Sequence, residues 1–242
     1  MSDEIRDQLA PTGVLRAGIN MANKLLVTGA TPSGDPDGVG PEFARHIADG
    51  LGVPVSYVQF PTPGELADAV TENVWDIGLI GAEPTRAEKI AFTAAYVEIE
   101  ATYLVPEGSP LNTIEDVDAE GVRIAVSGRS AYDLYLSRSL KHAELHRAQG
   151  LPGSLELFMA EKMDALAGLR PALTGDLDKV PGGRILDGQF TAVQQAVGTA
   201  RTKPEAAAYL SDVVEDAKAS GLIARLIEKH NVVGRLSVAD PA

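Results

Sequence analysis

The sequence contains no cysteine, and this absence excludes disulfide bonds, thiolate metal sites and a cysteine nucleophile. Basic residues are also few, because 21 lysines and arginines stand against 34 aspartates and glutamates, a formal net charge of −13. The resulting negative potential repels nucleic-acid phosphates and anionic lipid headgroups. We therefore expect neither nucleic acid nor a membrane surface as a partner, and an anion site would need a local cationic residue.

Long apolar segments are missing too. No run approaches the roughly 18 apolar residues that a membrane-spanning helix needs. Residues 1–7 are charged and acidic, and they lead into no apolar stretch of the kind found in a secretory signal. The sequence alone therefore predicts a cytoplasmic protein without a membrane span. The alternative is a periplasmic protein whose leader has been removed, with a transporter permease as its partner.

Motifs for the common cofactor chemistries are absent as well. The sequence has no P-loop and no Gly-x-Ser-x-Gly. Its four histidines form no His-Glu-x-x-His motif. His142 and His146 have the spacing of one helix face, which we interpret as a solvated face and not as a metal site. We therefore predict no cofactor and no metal.

Apolar segments alternate with amphipathic segments along the chain. The apolar runs 75–80 and 122–126 predict strands that are buried on both faces. In 41–51, Phe, Ile and Leu lie four residues apart, which predicts a helix. By the same patterns we predict a helix over 131–145 and a strand over 155–158. Buried strands separated by helices indicate an α/β fold with parallel sheets.

The length of 242 residues allows two modest hydrophobic cores. A stretch dense in Pro and Gly at 106–110 separates one α/β pattern from a second, and the helical tail follows a β-like segment. We therefore predict two lobes, each a mostly parallel sheet flanked by helices, joined by two crossing strands. Residues 1–103 and 190–242 are assigned to lobe 1, and residues 104–189 to lobe 2.

Residues 75–96 read WDIGLIGAEPTRAEKIAFTAAY. The strand, the loop, the arginine and the Phe-Thr-x-x-Tyr ending of this segment resemble the family 3 extracellular solute-binding proteins, the amino-acid-binding members of the type II periplasmic-binding-protein fold. In the order of its elements the resemblance extends from about residue 15 to residue 230. It implies a two-lobed protein that closes on a small carboxylate-bearing molecule, either an organic acid or an amino-acid-like compound.

In that family, the loop after this strand and the arginine that follows hold the ligand carboxylate. The resemblance therefore implies ligand contacts from Gly81, Ala82 and Arg86. An arginine fork beside backbone amides at a helix start suits a carboxylate. This loop lacks the hydroxyl side chains usual in the family, so its backbone amides would replace them. The alternative is that Arg86 is a surface residue paired with Glu83 or Glu88.

Residues 126–133, VSGRSAYD, resemble the family's second carboxylate-binding segment, a strand followed by a glycine-containing loop and a helix start. The resemblance implies ligand contacts from Ser127, Ser130, Ala131 and Tyr132. Ser130 is a suitable N-cap, and the amides of residues 130–132 would point toward an anion. The alternative is that Ser130 only caps its helix.

Family members that bind α-amino acids place an acid shortly after an Asp-Ala pair in the second lobe, and this chain has none after Asp164-Ala165. Either the ligand has no ammonium group, or Glu83 or Glu100 supplies the acid. The alternative for both glutamates is a solvated or ion-paired carboxylate. Arg170 offers a second positive charge for a dicarboxylate or a keto acid, or else lies on the surface.

Three amide side chains complete the candidate site. Asn20 and Asn23 follow the first strand, where the family places residues that cover the ligand. Gln194 lies on the returning segment, and its neighbour Gln195 should face the other way because side chains alternate along a strand.

The leading hypothesis is a solute-binding protein without catalytic activity. The alternative is a cytoplasmic enzyme on the same fold, such as a cyclohexadienyl-dehydratase-like lyase. In that case Glu83 or Glu100 would supply the proton while Arg86 holds the substrate. No motif in the sequence establishes such a pair.

Overall fold

The computed structural model of the protein describes residues 3–242. These residues form two compact units: unit 1 contains residues 3–98 and 194–242, and unit 2 contains residues 99–193. The lobe boundaries proposed from the sequence stay a prediction beside this division. Within residues 3–242, no helix combines the length and the apolar character needed to cross a bilayer.

The elements of the first part of the chain are α1 (Asp3–Leu9), β1 (Leu15–Asn20), β2 (Gly29–Ala30), β3 (Pro36–Asp37), α2 (Val39–Leu51), β4 (Val55–Phe60), α3 (Pro63–Asp68), β5 (Ile77–Gly81), α4 (Pro84–Ala87) and β6 (Ile90–Val105). Those of the remainder are β7 (Arg123–Ser127), α5 (Ala131–Ser139), β8 (Glu144–Ala148), α6 (Gly150–Ala160), β9 (Ala165–Leu169), α7 (Arg170–Asp176), β10 (Arg184–Ile185), β11 (Thr191–Ala200), α8 (Pro204–Ala219), α9 (Leu222–Lys229) and β12 (Ser237–Val238).

The sheet of unit 1 has the strand order β4-β1-β5-β11. Strand β1 runs parallel to β4 and β5, and β11 runs antiparallel to β5. Strand β5 is buried along its whole length, as its apolar run predicted. Helix α2 buries Phe43, Ile47 and Leu51 completely, so the predicted four-residue spacing is confirmed. It ends at Gly52, whose φ of 69° is the left-handed conformation that glycine adopts at little cost.

The sheet of unit 2 has the order β6-β9-β7-β8. Strand β7 runs parallel to β8 and β9, and β9 runs antiparallel to β6. Leu104, Leu155, Phe158 and Leu166 are among the side chains of its hydrophobic core. Both units thus contain a mostly parallel sheet with helices, and the predicted α/β class is confirmed. Strands β6 and β11 each have residues in both units, which agrees with the two predicted crossings.

The predicted helix over 131–145 is too long. Helix α5 ends at Ser139, and the chain then forms β8, which pairs in parallel with β7. The Asp118 carboxylate accepts the backbone amides of residues 141–143 at 2.8–3.1 Å, which holds the chain away from a helical path. Consequently His142 and His146 do not share a helix face, because His146 lies in β8.

The predicted strand over 155–158 is wrong. These residues belong to α6, in which Ser154, Leu155 and Phe158 are buried. Burial at positions i, i+1 and i+4 is the pattern of one helix face. The local sequence Leu-Glu-Leu-Phe alternates over too few residues to distinguish a strand from a helix.

Candidate functional site

Arg86 lies just beyond the carboxyl end of β5 in unit 1, where the sequence placed it. Only 6% of the residue is exposed, and its Nη1 donates to the Gly81 carbonyl at 2.7 Å. Helix α4, which carries Arg86, has only four residues. It is therefore too short to supply a substantial helix dipole, and the guanidinium itself is the cationic element of this loop.

The loop between β5 and α4 differs from the expectation in one respect. The Ala82 amide donates to the Gln194 carbonyl at 2.7 Å, so it is engaged within unit 1. The idea that loop amides replace the family's hydroxyl groups therefore does not hold for Ala82. Glu83 is buried and occupies the N-cap position of α4, where its side chain makes no capping hydrogen bond.

A small pocket lies within unit 1 and brings together polar side chains from three segments. Asn20, Asn23, Tyr96 and Gln195 line it together with apolar side chains, and it has room for about one water-sized molecule. The Oδ1 atoms of Asn20 and Asn23 accept the amides of Ala22 and Leu25 at 3.1 Å. These bonds fix both side-chain amides, and their NH₂ groups remain as donors.

One of the two adjacent glutamines lines this pocket. It is Gln195, which is buried, whereas the ligand contact expected of Gln194 stays a prediction. Gln194 is half-buried, and its carbonyl is bonded to Ala82. The two side chains lie on opposite faces because neighbours alternate along β11.

Tyr96 is fully buried beside this pocket, and its hydroxyl has no hydrogen-bond partner among the described residues. Burial raises the pKa of this phenol far above its ordinary value, so the hydroxyl is protonated. The hydroxyl lies 3.8 Å from the position that a Cβ on Gly40 would occupy, and Gly40 also lines the pocket. An unpaired buried hydroxyl is costly, which marks this place as one where a polar group is accommodated.

In unit 2, Ser130 caps α5 as predicted. Its Oγ accepts the Asp133 amide at 3.1 Å, and the Ser130 amide donates to the Ser127 carbonyl at 3.3 Å. The Ser130 amide is therefore not available to an anion, in contrast to the expectation. The amides of Ala131 and Tyr132 are the first-turn donors that a helix leaves without an internal partner.

Asp133 holds the loop before α5 in place. Its buried carboxylate accepts the Arg129 amide at 2.7 Å and Nε of Arg147 at 2.9 Å. Arg129 has a φ of 62°, a left-handed conformation that is unfavourable for a residue with a Cβ. The bond from its amide to Asp133 stabilises that conformation.

Tyr132 is the second tyrosine whose buried hydroxyl has no hydrogen-bond partner among the described residues. Burial raises the pKa of its phenol, and this effect is larger than that of the nearby Ser130 and Ser127 hydroxyls, which lower the pKa. Ser127 and Ser130 are themselves buried. Three hydroxyl groups therefore lie together at the start of α5, beside the amides of its first turn.

Glu100 and Arg170 pair with each other in unit 2. Nε of Arg170 lies 2.6 Å from Oε2 of Glu100, and Nη2 of Arg170 donates to the Gly188 carbonyl. The Glu100 side chain is 56% exposed. Glu100 is therefore the ion-paired carboxylate that the sequence left as an alternative, and the Arg170 charge is already compensated.

The model of one protein family matches residues 15–232 of this chain. That family is described as bacterial extracellular solute-binding proteins, family 3. The chain belongs to this family. The resemblance found in residues 75–96 is thereby confirmed.

Solved structures of the same fold agree with this assignment. The solute receptor for L-cysteine of Neisseria gonorrhoeae has a TM-score of 0.77 at 16% identity, over 99% of this chain and 100% of that one. A mutant of ArgBP from T. maritima has a TM-score of 0.74 at 20% identity, and the match covers 94% of this chain and 99% of that one. An ancestral amino acid-binding protein, a precursor of cyclohexadienyl dehydratase, has a TM-score of 0.73 at 21% identity, and the match covers 92% of this chain and 97% of that one.

At these identities the structures show the fold alone, and the predicted two-lobed type II periplasmic-binding-protein-like fold is confirmed. A search of curated proteins finds no sequence match.

Three features of the two units were not predicted from the sequence. Tyr96 lies in the quoted motif, but its missing hydrogen bond is visible only in three dimensions. The contacts of Asp133 with Arg129 and Arg147 are likewise visible only in three dimensions. The Glu100–Arg170 pair joins residues 70 positions apart, a separation that no local pattern reveals.

Proposed function

We propose that this protein is a solute-binding protein whose ligand is a small molecule with one carboxylate, bound through Arg86. The observation that carries the proposal is a buried arginine at the end of β5, in a member of a solute-binding family with a net charge of −13. A buried guanidinium is suited to a planar carboxylate because two parallel hydrogen bonds can form.

The remainder of the ligand is proposed to carry an uncharged hydrogen-bonding group. The polar side chains that line the unit 1 pocket are two asparagines, a glutamine and a tyrosine, and none of the lining residues is charged. Arg170 is engaged with Glu100 and the Gly188 carbonyl, which disfavours it as a receptor for a second carboxylate. A hydroxy acid, whose hydroxyl group is about the size of a water molecule, fits this description better than a dicarboxylate.

The start of α5 is proposed as a further anion-binding element. Support comes from the amides of Ala131 and Tyr132 together with the hydroxyl groups of Ser127, Ser130 and Tyr132. A helix N-terminus with free amide donors favours negative charge.

The alternative of a dehydratase-like enzyme is less well supported. Glu100, one of the two acids considered as proton donor, is ion-paired and more than half exposed. A general acid that works near neutral pH is usually one kept protonated by an apolar environment. This difference disfavours Glu100, but not the buried Glu83, as the proton donor.

We also propose that the protein works outside the cytoplasm with a transporter permease as its partner, because its family is described as extracellular. This location replaces the cytoplasmic expectation, which rested on the composition of residues 1–7 alone. Fractionation of the source cells, with detection of the protein in the periplasmic fraction, tests it. Exclusive recovery from the cytoplasm would contradict it.

A thermal-shift screen tests the ligand class. The screen should contain hydroxy acids, keto acids, dicarboxylates and amino acids, each beside its carboxamide analogue. A ligand that binds only the folded state raises the melting temperature, and the rise grows with the logarithm of the ligand concentration once that concentration exceeds Kd. We expect stabilisation by monocarboxylates, none by their carboxamides, and unchanged compound in product analysis after prolonged incubation. Consumption of the compound would instead support the enzyme.

A further inference from the structure

A second cluster of polar groups lies in unit 1, apart from the residues assigned to the solute. Asp37 at the end of β3, Glu42 in α2 and His230 after α9 place one ligand atom each within 4.8 Å of one another. None of the three is fully exposed. Two carboxylates and an imidazole form a set of donors that first-row divalent metals use.

The His230 ring is held in a defined orientation. Its Nε2 lies 2.9 Å from Oε1 of Glu42, and its Nδ1 lies 3.2 Å from Oγ1 of Thr28. The His230 side chain is 7% exposed. Metal-binding histidines are typically fixed in this way, with one ring nitrogen toward the carboxylates and the other bonded to a neighbouring group. Thr28 therefore orients Nε2 toward Glu42 and Asp37.

Two cations already face these carboxylates. Nζ of Lys229 lies 2.6 Å from Oε1 of Glu42. Electrostatic interactions with Tyr57 and, more weakly, with Glu42 and Asp37 raise the pKa of the Arg45 guanidinium. A metal must therefore displace Lys229 from Glu42. The Lys229 side chain is 61% exposed, so its ammonium group can move into water, whereas the Glu42 side chain is 16% exposed and would have the bound metal as its new cationic partner.

We propose that Asp37, Glu42 and His230 form a binding site for a divalent transition-metal cation of the Zn²⁺ type, with water completing the coordination. The net charge of −13 attracts cations to the protein. A bound cation would join β3, α2 and the end of α9, so it would stabilise unit 1 independently of any solute. The three residues are separated by up to 193 positions in the sequence, which explains why no histidine motif revealed them.

The test uses Zn²⁺ alone with the full chain. Equilibrium dialysis should give one Zn²⁺ per chain for the wild type, with a rise in melting temperature. His230→Ala and Glu42→Gln should abolish stoichiometric binding, and Thr28→Val should weaken it roughly tenfold through the loss of ring orientation. The matched control His142→Ala removes an exposed histidine from unit 2 and should bind like the wild type.

Lys229→Met provides the sharpest comparison. It removes the cation that competes for Glu42, so it should bind Zn²⁺ more tightly than the wild type. Circular dichroism establishes that each variant is folded, and His230→Gln replaces His230→Ala if the latter unfolds. The proposal is overturned if neither the wild type nor Lys229→Met binds Zn²⁺ stoichiometrically. It is also overturned if binding survives in the folded His230 variant.

Discussion

Asp76 shows what a buried charge requires of its surroundings. Its side chain is completely buried in unit 1, and its carboxylate is contacted by Arg16 at 2.8 Å and by Lys203 at 3.3 Å. The hydrogen bond from Arg16 to Asp76 also raises the pKa of that guanidinium. Removal of one partner from a buried pair is costly because the other charge is left without compensation.

We expect Asp76→Ala to lower the free energy of unfolding by about 3 kcal/mol, since Arg16 and Lys203 lose their common acceptor. Urea unfolding monitored by circular dichroism measures this change. Asp49→Ala is the matched control, because Asp49 is exposed and its removal should change stability by less than about 0.5 kcal/mol. Equal stability of the two variants would show that the Asp76 contacts contribute nothing.

Individual residues also show where sequence reasoning ends. The position of Arg86 was predictable, since it follows a buried strand and lies in a short helix that begins at Pro84, which is a local pattern. The hydrogen-bond partner of each polar group was not predictable from the sequence. The Ala82 amide is engaged by Gln194, and Glu100 is engaged by Arg170, because β11 and α7 bring distant residues into contact. Hydrogen-bond partners are a property of the tertiary structure.

At the scale of the elements, the loop and first turn of α5 depend on a short set of local bonds. Ser130 accepts the Asp133 amide, and Asp133 accepts the Arg129 amide. This arrangement resembles a capping box, in which a hydroxyl and an acid three residues later satisfy backbone donors at the helix start. The sequence predicted the cap because serine at this position is a local signal.

Ser130→Ala should lower the free energy of unfolding by about 1 kcal/mol through loss of the N-cap. Ser139→Ala is the matched control at the other end of α5, where the hydroxyl is exposed and bonds only to the Tyr135 carbonyl. Both variants are compared by urea unfolding. A Ser130 variant no less stable than the Ser139 variant would contradict the capping role.

The turn between β3 and α2 depends on glycine. Gly38 has a φ of 146°, and a Cβ at this position would lie 2.3 Å from the Leu26 carbonyl oxygen. We therefore expect Gly38→Ala to destabilise the protein by at least about 2 kcal/mol, from backbone strain and the clash together. Gly29→Ala, where no atom lies within 4 Å of the added Cβ, should have a much smaller effect. Differential scanning calorimetry of both variants checks the difference.

Strand β8 and helix α6 were predicted incorrectly for different physical reasons. Strand β8 lies at the edge of its sheet and is partly exposed, so its sequence lacks the apolar run of a central strand. Strands β5 and β9, which are buried along their whole length, have that signature. Helix α6 was mistaken for a strand because an apolar segment as short as residues 155–158 has the same pattern in a strand and in a helix. Central strands and long amphipathic helices can thus be predicted from the sequence, whereas the formation of an edge strand depends on the strand with which it pairs.

At the scale of the whole molecule, the net negative charge repels an anionic ligand, whereas the buried arginine attracts it. A net charge of −13 slows the approach of anions. Affinity for a carboxylate must therefore come from short-range contacts with a cation and with hydrogen-bond donors. We assign the contact with a cation to Arg86 in unit 1, whose side chain is buried.

Titration calorimetry with a carboxylate identified in the screen, beside its carboxamide analogue, tests this account most directly. We expect Arg86→Ala to weaken binding of the carboxylate by at least about 2 kcal/mol, because a desolvated carboxylate loses its charged donor. The variant should also lose the preference of the wild type for the carboxylate over the carboxamide. Arg235→Ala, which removes an exposed arginine from the same unit, should retain both affinity and preference. A folded Arg86→Ala variant with unchanged carboxylate affinity would contradict the assignment.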